Sequence, residues 1–126
     1  MIKLFGRRTL GIEGENIALQ FLKKKGYRLL EQNYRTRYGE IDIIVQDKDD
    51  IVFAEVKLRR SLKYGTPQES VTLSKQTHIV KAALQYMKAK GLAGSNMRFD
   101  VLTVGPEPGK IEHLRSAFTA SGMQYY

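Results

Sequence analysis

Four ionisable side chains, Glu40, Asp42, Glu55 and Lys57, stand at spacings that suit metal-assisted phosphodiester chemistry. They lie in two runs rich in β-branched residues, Gly39-Glu40-Ile41-Asp42-Ile43-Ile44-Val45-Gln46 and Ile51-Val52-Phe53-Ala54-Glu55-Val56-Lys57-Leu58. The polar stretch Asp47-Lys48-Asp49-Asp50 separates them, so the pair reads as a β-hairpin. If residues 47–50 form the turn, Gln46 faces Ile51, which sets Asp42 opposite Glu55 and Glu40 opposite Lys57. Alternate side chains share one face of a strand, so all four project to the same side. Directly opposed Cβ atoms lie roughly 4.5–5.5 Å apart, close enough for two acids to repel. A divalent cation turns that repulsion into binding, because oxygen ligands are what such a cation takes. Lys57 can then touch a scissile phosphate or position an attacking water. Glu40 is either a further ligand or an ion-pair partner of Lys57. A solitary Glu-x-Lys triplet is ordinarily a solvated strand face; the joint pattern with Gly-Glu-Ile-Asp is the more specific signal.

Composition narrows the metal. The chain has no cysteine and only two histidines, His78 and His113, which excludes disulfides and thiolate sites and disfavours a zinc cluster. Oxygen ligands point to Mg2+ or Mn2+. Lysine and arginine number 21 against 13 acids, a net charge of +8 that attracts polyanions, nucleic acid foremost. No apolar run approaches a membrane span, and the start lacks the apolar segment of a signal peptide, so a cytoplasmic protein is expected. With 126 residues the chain fits a single domain over residues 1–126 and can bury a core without staples.

Helices must flank these strands. The first is expected over Ile12 to Lys25, ended by Gly26, with Ile17, Ala18, Leu19, Phe21 and Leu22 as its apolar arc. Glu15 falls inside that arc, a local inconsistency of the kind that marks function. A strand is expected within Tyr27–Arg35. A second helix is expected over Leu73–Lys90, capped by Thr72 or Ser74 and ended by Gly91, with Val80, Ala83, Leu84 and Met87 as its stripe. Arg98–Val104 and Ile111–Leu114 read as further strands, separated by the breaker Gly105-Pro106-Glu107-Pro108-Gly109. Ile41, Ile43, Val45, Val52, Ala54 and Val56 are expected on one sheet face, with Ile44 and Phe53 beside the acids on the other. The order α, several β, α, β, β makes an α/β domain, a mixed sheet with helices packed on it.

Basic side chains gather near the acids in sequence. Arg35 and Arg37 precede Asp42; Arg59, Arg60, Lys63 and Tyr64 follow Lys57 in a loop. Such a set suits phosphate contacts and base stacking. Lys75 opens the second helix, where amide donors also favour phosphate. Asp100 and Arg98 are expected to form a structural ion pair; His78 and His113 are assigned no functional role.

The arrangement Asp42…Glu55-Val56-Lys57 resembles the PD-(D/E)xK motif of restriction-endonuclease-like nucleases. The chain from Gly11 to Phe118 resembles the YraN family of small bacterial proteins. That resemblance rests on Gly14-Glu15, Asn33-Tyr34-Arg35, Gly39-Glu40-Ile41-Asp42, Phe53-Ala54-Glu55-Val56-Lys57, Arg59, Lys75, Arg98-Phe99-Asp100-Val101 and Ala117-Phe118. Ile41 stands where the motif's name has proline. The family is similar to archaeal Holliday-junction resolvases, which implies an α-β-β-β-α-β core and a third carboxylate, Glu15, beside the metal. It also implies a homodimer. The function expected is a Mg2+- or Mn2+-dependent DNA endonuclease acting on branched DNA, with metal ligands Glu15, Asp42 and Glu55 and with Lys57 stabilising charge. The alternative is a module of the same fold that binds nucleic acid without cleaving it. A ribosome- or RNA-binding role shares the charge but predicts affinity without metal.

Overall fold

The computed structural model describes residues 6–59, 71–105 and 110–120, with the side chains of residues 6–12 left aside. The elements in chain order are α1 (Gly6–Lys24), β1 (Arg28–Thr36), β2 (Gly39–Asp47), β3 (Asp50–Leu58), α2 (Leu73–Ala89), β4 (Asn96–Val104) and β5 (Ile111–Phe118). The strands form one sheet in sequence order. Every neighbouring pair is antiparallel except β3 and β4, which run parallel. A parallel pair requires a crossover, and α2 lies in it. The expected mixed sheet flanked by helices is therefore observed. The basic loop residues Arg60, Lys63 and Tyr64, and residues 106–109 of the Pro-Gly breaker, lie outside the described residues.

Both helices end as their glycines predict. Gly26 (φ 94°) and Gly91 (φ 68°) take left-handed backbone. Tyr27 N donates to Leu22 O and Gly26 N to Lys23 O; Leu92 N donates to Met87 O and Gly91 N to Lys88 O. These paired bonds satisfy carbonyls that the helix leaves orphaned. Thr72 is the N-cap of α2, its hydroxyl accepting from Lys75 N at 3.2 Å. The start of α1 lies upstream of the expected Ile12, and β5 continues past Leu114 to Phe118. Ser116 is left-handed (φ 53°) and the β4–β5 register shifts between Phe99 and Val101. That irregularity, in a polar stretch, hid the second half of the strand from periodicity.

The core has two layers, one on each sheet face. Ala18, Leu19 and Leu22 of α1 pack with Tyr27, Ile43, Val45, Val52, Ala54, Leu102 and Val104. Val80, Ala83, Tyr86 and Met87 of α2 pack with Ile41, Ile44, Phe53, Phe99 and Val101 on the other face. Two expectations need correction. Ile17 is 40% exposed and lies outside the buried arc. Ile41 belongs with Ile44 on the α2 side, not with Ile43 on the α1 side. Strict alternation thus fails between Ile41 and Ile43, with Asp42 at the break.

The turn end of the hairpin is fixed by Arg98, 8% exposed. Its guanidinium donates to both carboxylate oxygens of Asp100 (3.0 Å each), to Asp47 Oδ2 (2.8 Å) and to the Tyr27 hydroxyl (2.8 Å). Asp100 also accepts from Ser116 N and contacts His113 Nε2 at 2.7 Å. The Arg98–Asp100 pair is as expected; His113 proves to be part of the same buried network. Burial opposes charge on Asp100, but His113, Arg98 and the Ser116 amide together hold its carboxyl below the usual range.

Candidate active site

The β2–β3 ladder runs from Asp47↔Asp50 to Ile43↔Ala54, in the register the sequence predicted. Strand pairing extends one residue further into the turn, leaving Lys48 (φ 56°) and Asp49 to make it. At its other end the ladder stops short of Asp42 and Glu55. There Val56 N donates to Asp42 Oδ2 at 2.8 Å. A side-chain carboxylate thus takes the place of a strand carbonyl, a local competition open to Asp. On the β1 side the ladder pairs Gln32 with Ile43 and Tyr34 with Ile41, and between them Asn33 is left-handed (φ 51°). Asp42 therefore sits in the plane of the sheet where β2 parts from β3, and not as a ladder partner of Glu55.

The two acids nevertheless meet. Asp42 is pushed up to about 8, chiefly by burial and next by the Glu55 charge, against the Val56 amide. Glu55 is 5% exposed. Its Oε2 lies 3.3 Å from Lys75 Nζ and 3.7 Å from Lys57 Nζ, while its Oε1 is buried without a hydrogen-bond partner. Lys75 reaches Glu55 from α2, so a residue expected to contact phosphate lies beside the acids. Glu40 pairs with Arg35 across the β1–β2 ladder at 2.8 Å, so its ion-pair partner is Arg35 and not Lys57.

Glu15 approaches from the α1 layer. Burial, then the Glu40 charge, and more weakly Glu55, raise its carboxyl, while a hydrogen bond from the Asn33 side chain opposes them. It thus senses both acids of the sheet. Among the described residues, however, no three His, Asp or Glu side chains converge as a metal-holding group. The sheet gap brings together Asp42 and Glu55, with Glu15 at its margin. Glu55 Oε1 has no fixed donor, and the Asp42 carboxyl, kept protonated in the metal-free protein by burial and then by the Glu55 charge, hydrogen-bonds Glu55; a divalent cation could replace that proton, since the ligand atoms are hard oxygens. Asn33, which steadies Glu15, was legible only as an Asn in a strand, the residue most tolerant of left-handed backbone after glycine.

Cationic groups edge this end of the sheet. Arg35 is 82% exposed. Arg37 donates to the Tyr38 hydroxyl at 2.8 Å and stacks 4.9 Å from its ring centroid; Lys81 Nζ lies 5.8 Å from the same ring. Arg59 N donates to Val104 O, and its Nε is buried without a partner. Tyr38 thus places an aromatic ring among cations at this end of the sheet, while the expected Tyr64 lies outside the described residues.

The fold defines an α/β protein with paired carboxylates near the C-terminal end of a parallel strand, where ligand sites of such sheets lie. The chain belongs to the family described as Uncharacterised protein family UPF0102, whose model matches residues 14–104. A UPF0102 protein of Desulfosudis oleivorans is 48% identical over 115 residues, covering 91% of this chain and 94% of its own. A UPF0102 protein of Syntrophus aciditrophicus is 53% identical over 107 residues, covering 83% and 84%. One from Geobacter sulfurreducens is 43% identical over 114 residues, covering 88% and 89%. No helix among the described residues is long and apolar enough to cross a membrane.

Proposed function

We propose that the chain is a divalent-metal-dependent DNA endonuclease whose metal is held by Asp42 and Glu55, with Glu15 as a third carboxylate. The observation that carries this reading is the buried Asp42–Glu55 pair, with Glu55 Oε1 unpartnered and two lysines at its other oxygen. Two carboxylates kept together under cover disfavour the metal-free protein, a cost that a divalent cation between them would offset. When bound, Mg2+ or Mn2+ polarises phosphate and lowers the pKa of bound water. Lys57, with its Nζ 3.7 Å from Glu55 Oε2, would stabilise charge developing at a phosphate bound there. Arg35 and Arg37 supply positive charge for flanking phosphates, and Tyr38 offers a face for stacking. Branched DNA is the substrate that the likeness to junction resolvases favours, and a homodimer would match the two equivalent strands of a junction.

The test is cleavage of labelled linear, flapped and four-way DNA with Mg2+ or Mn2+, wild type beside Glu55→Ala. Metal-dependent cutting by wild type and none by the folded variant is the expected result. Equal cutting by both contradicts the site. Salt-sensitive binding without cutting by either favours the binding module. In the same assay, Arg35→Ala with Arg37→Ala should weaken DNA affinity for all sequences alike. The slope of log affinity against log salt should fall by about 1 for each phosphate that is no longer neutralised. An unchanged slope would place the DNA elsewhere.

A further inference from the structure

Glu55 meets two ammonium groups of different origin. Lys57 is its neighbour two residues along β3, whereas Lys75 comes from the first turn of α2 and its Nζ is the nearer, 3.3 Å against 3.7 Å. The backbone of that turn is fixed by the Thr72 hydroxyl, which accepts from Lys75 N. A cation there stands at the positive end of the helix dipole, and no acid of the first turn offsets it. Its placement is thus unfavourable within α2 and is compensated by a carboxylate of the sheet. The Lys75 side chain is 43% exposed, so it has solvent to move into. An ammonium at Oε2 and a dication at Oε1 of the same carboxylate repel each other strongly across so short a distance.

We propose that Lys75 is the intramolecular counter-ion of Glu55, competing with the divalent cation for that carboxylate, so that metal entry frees its ammonium for the substrate phosphate. This rests on the metal-centre reading and adds an exchange of cations to it. Lys75 is then a positioning residue in the metal-free protein and a phosphate contact in the loaded one.

The experiment is Mn2+ binding to the full chain without DNA, counted by electron paramagnetic resonance of free Mn2+. Wild type, Lys75→Met, Lys75→Arg and Lys88→Met are compared. Lys88 is an exposed lysine in the last turn of α2 and controls for net charge. Removing the competitor should tighten Mn2+ binding by Lys75→Met on the order of tenfold. Lys75→Arg should remain near wild type, and so should Lys88→Met. Unchanged or weaker Mn2+ binding by Lys75→Met overturns the exchange while leaving the metal centre standing, and equal tightening in Lys88→Met reduces it to a general charge effect. Failure of wild type to bind Mn2+ overturns both the exchange and the metal centre.

Discussion

Replacing Asp42 by asparagine should abolish metal-dependent cleavage and yet make the metal-free protein more stable at pH 8. The native carboxyl is raised from 3.8 to about 8 by burial and by Glu55. Between those values the folded state holds a proton that the unfolded chain has released, so stability falls as pH rises through that window. Asparagine keeps an oxygen for the Val56 amide and removes the charge. The variant and wild type should therefore have similar stability near pH 4. By pH 8 the variant should lead by about 2 kcal/mol, or on the order of 5 °C in Tm. Loss of cleavage should reach ~10^3-fold or more, as for groups that act on charge formed in the transition state. Thermal unfolding with and without Mn2+ checks the first part. Added Mn2+ should stabilise wild type more than the variant, because a cation that binds only the folded state shifts the equilibrium. A variant less stable than wild type at pH 8 would contradict the raised carboxyl, since asparagine keeps the acceptor for Val56 N.

The second large effect lies at the far end of the same hairpin. Arg98→Ala should cost about 3–5 kcal/mol, because Asp100, with a wholly buried side chain, would lose its fixed cation. Asp47 and Asp50 are direct cross-strand partners and both contact the same guanidinium. Without it these like charges repel across the turn. Arg98 itself is held charged: burial opposes the charge, but hydrogen bonds to Asp100 and Asp47 overcome it. Asp100 and Asp47 titrate below their ordinary values, so their contribution is present above about pH 4 and is lost as pH falls through the folded-state values. Urea unfolding at pH 7 measures the cost. A loss under about 1 kcal/mol would show that His113, Ser116 and solvent suffice for Asp100. Pairing Arg98→Met with Asp100→Asn should lessen the penalty, since the unpaired buried charge goes with its partner.

These two regions differ in how far the sequence reveals them. The hairpin register was legible because β-branched runs flank a short polar turn, and it holds from Asp47↔Asp50 to Ile43↔Ala54. Helix ends were legible because Gly26 and Gly91 meet a backbone need that other residues meet poorly. Period-2 logic failed at Asp42, where a side chain replaces a ladder bond and Ile41 joins the opposite core layer. No local pattern encodes that exchange. The link from Lys75 to Glu55 depends on how α2 crosses the sheet, which sequence spacing cannot supply. His113 was passed over because its strand is polar and bulged; only its neighbours in space, Asp100 and Tyr27, make it a core residue. Glu15 is legible as an acid within the apolar arc of α1; it is half-buried, and burial together with Glu40 and Glu55 accounts for its raised carboxyl.

The most direct measurement of the metal centre is anomalous diffraction from crystals grown with Mn2+ near pH 8, wild type beside Asp42→Asn. An Mn2+ peak is predicted between the Asp42 and Glu55 carboxylates, with Lys75 displaced from Glu55, and no peak there in the variant. Wild-type crystals at saturating Mn2+ with no peak at these carboxylates, and Lys75 still on Glu55, would contradict the metal centre.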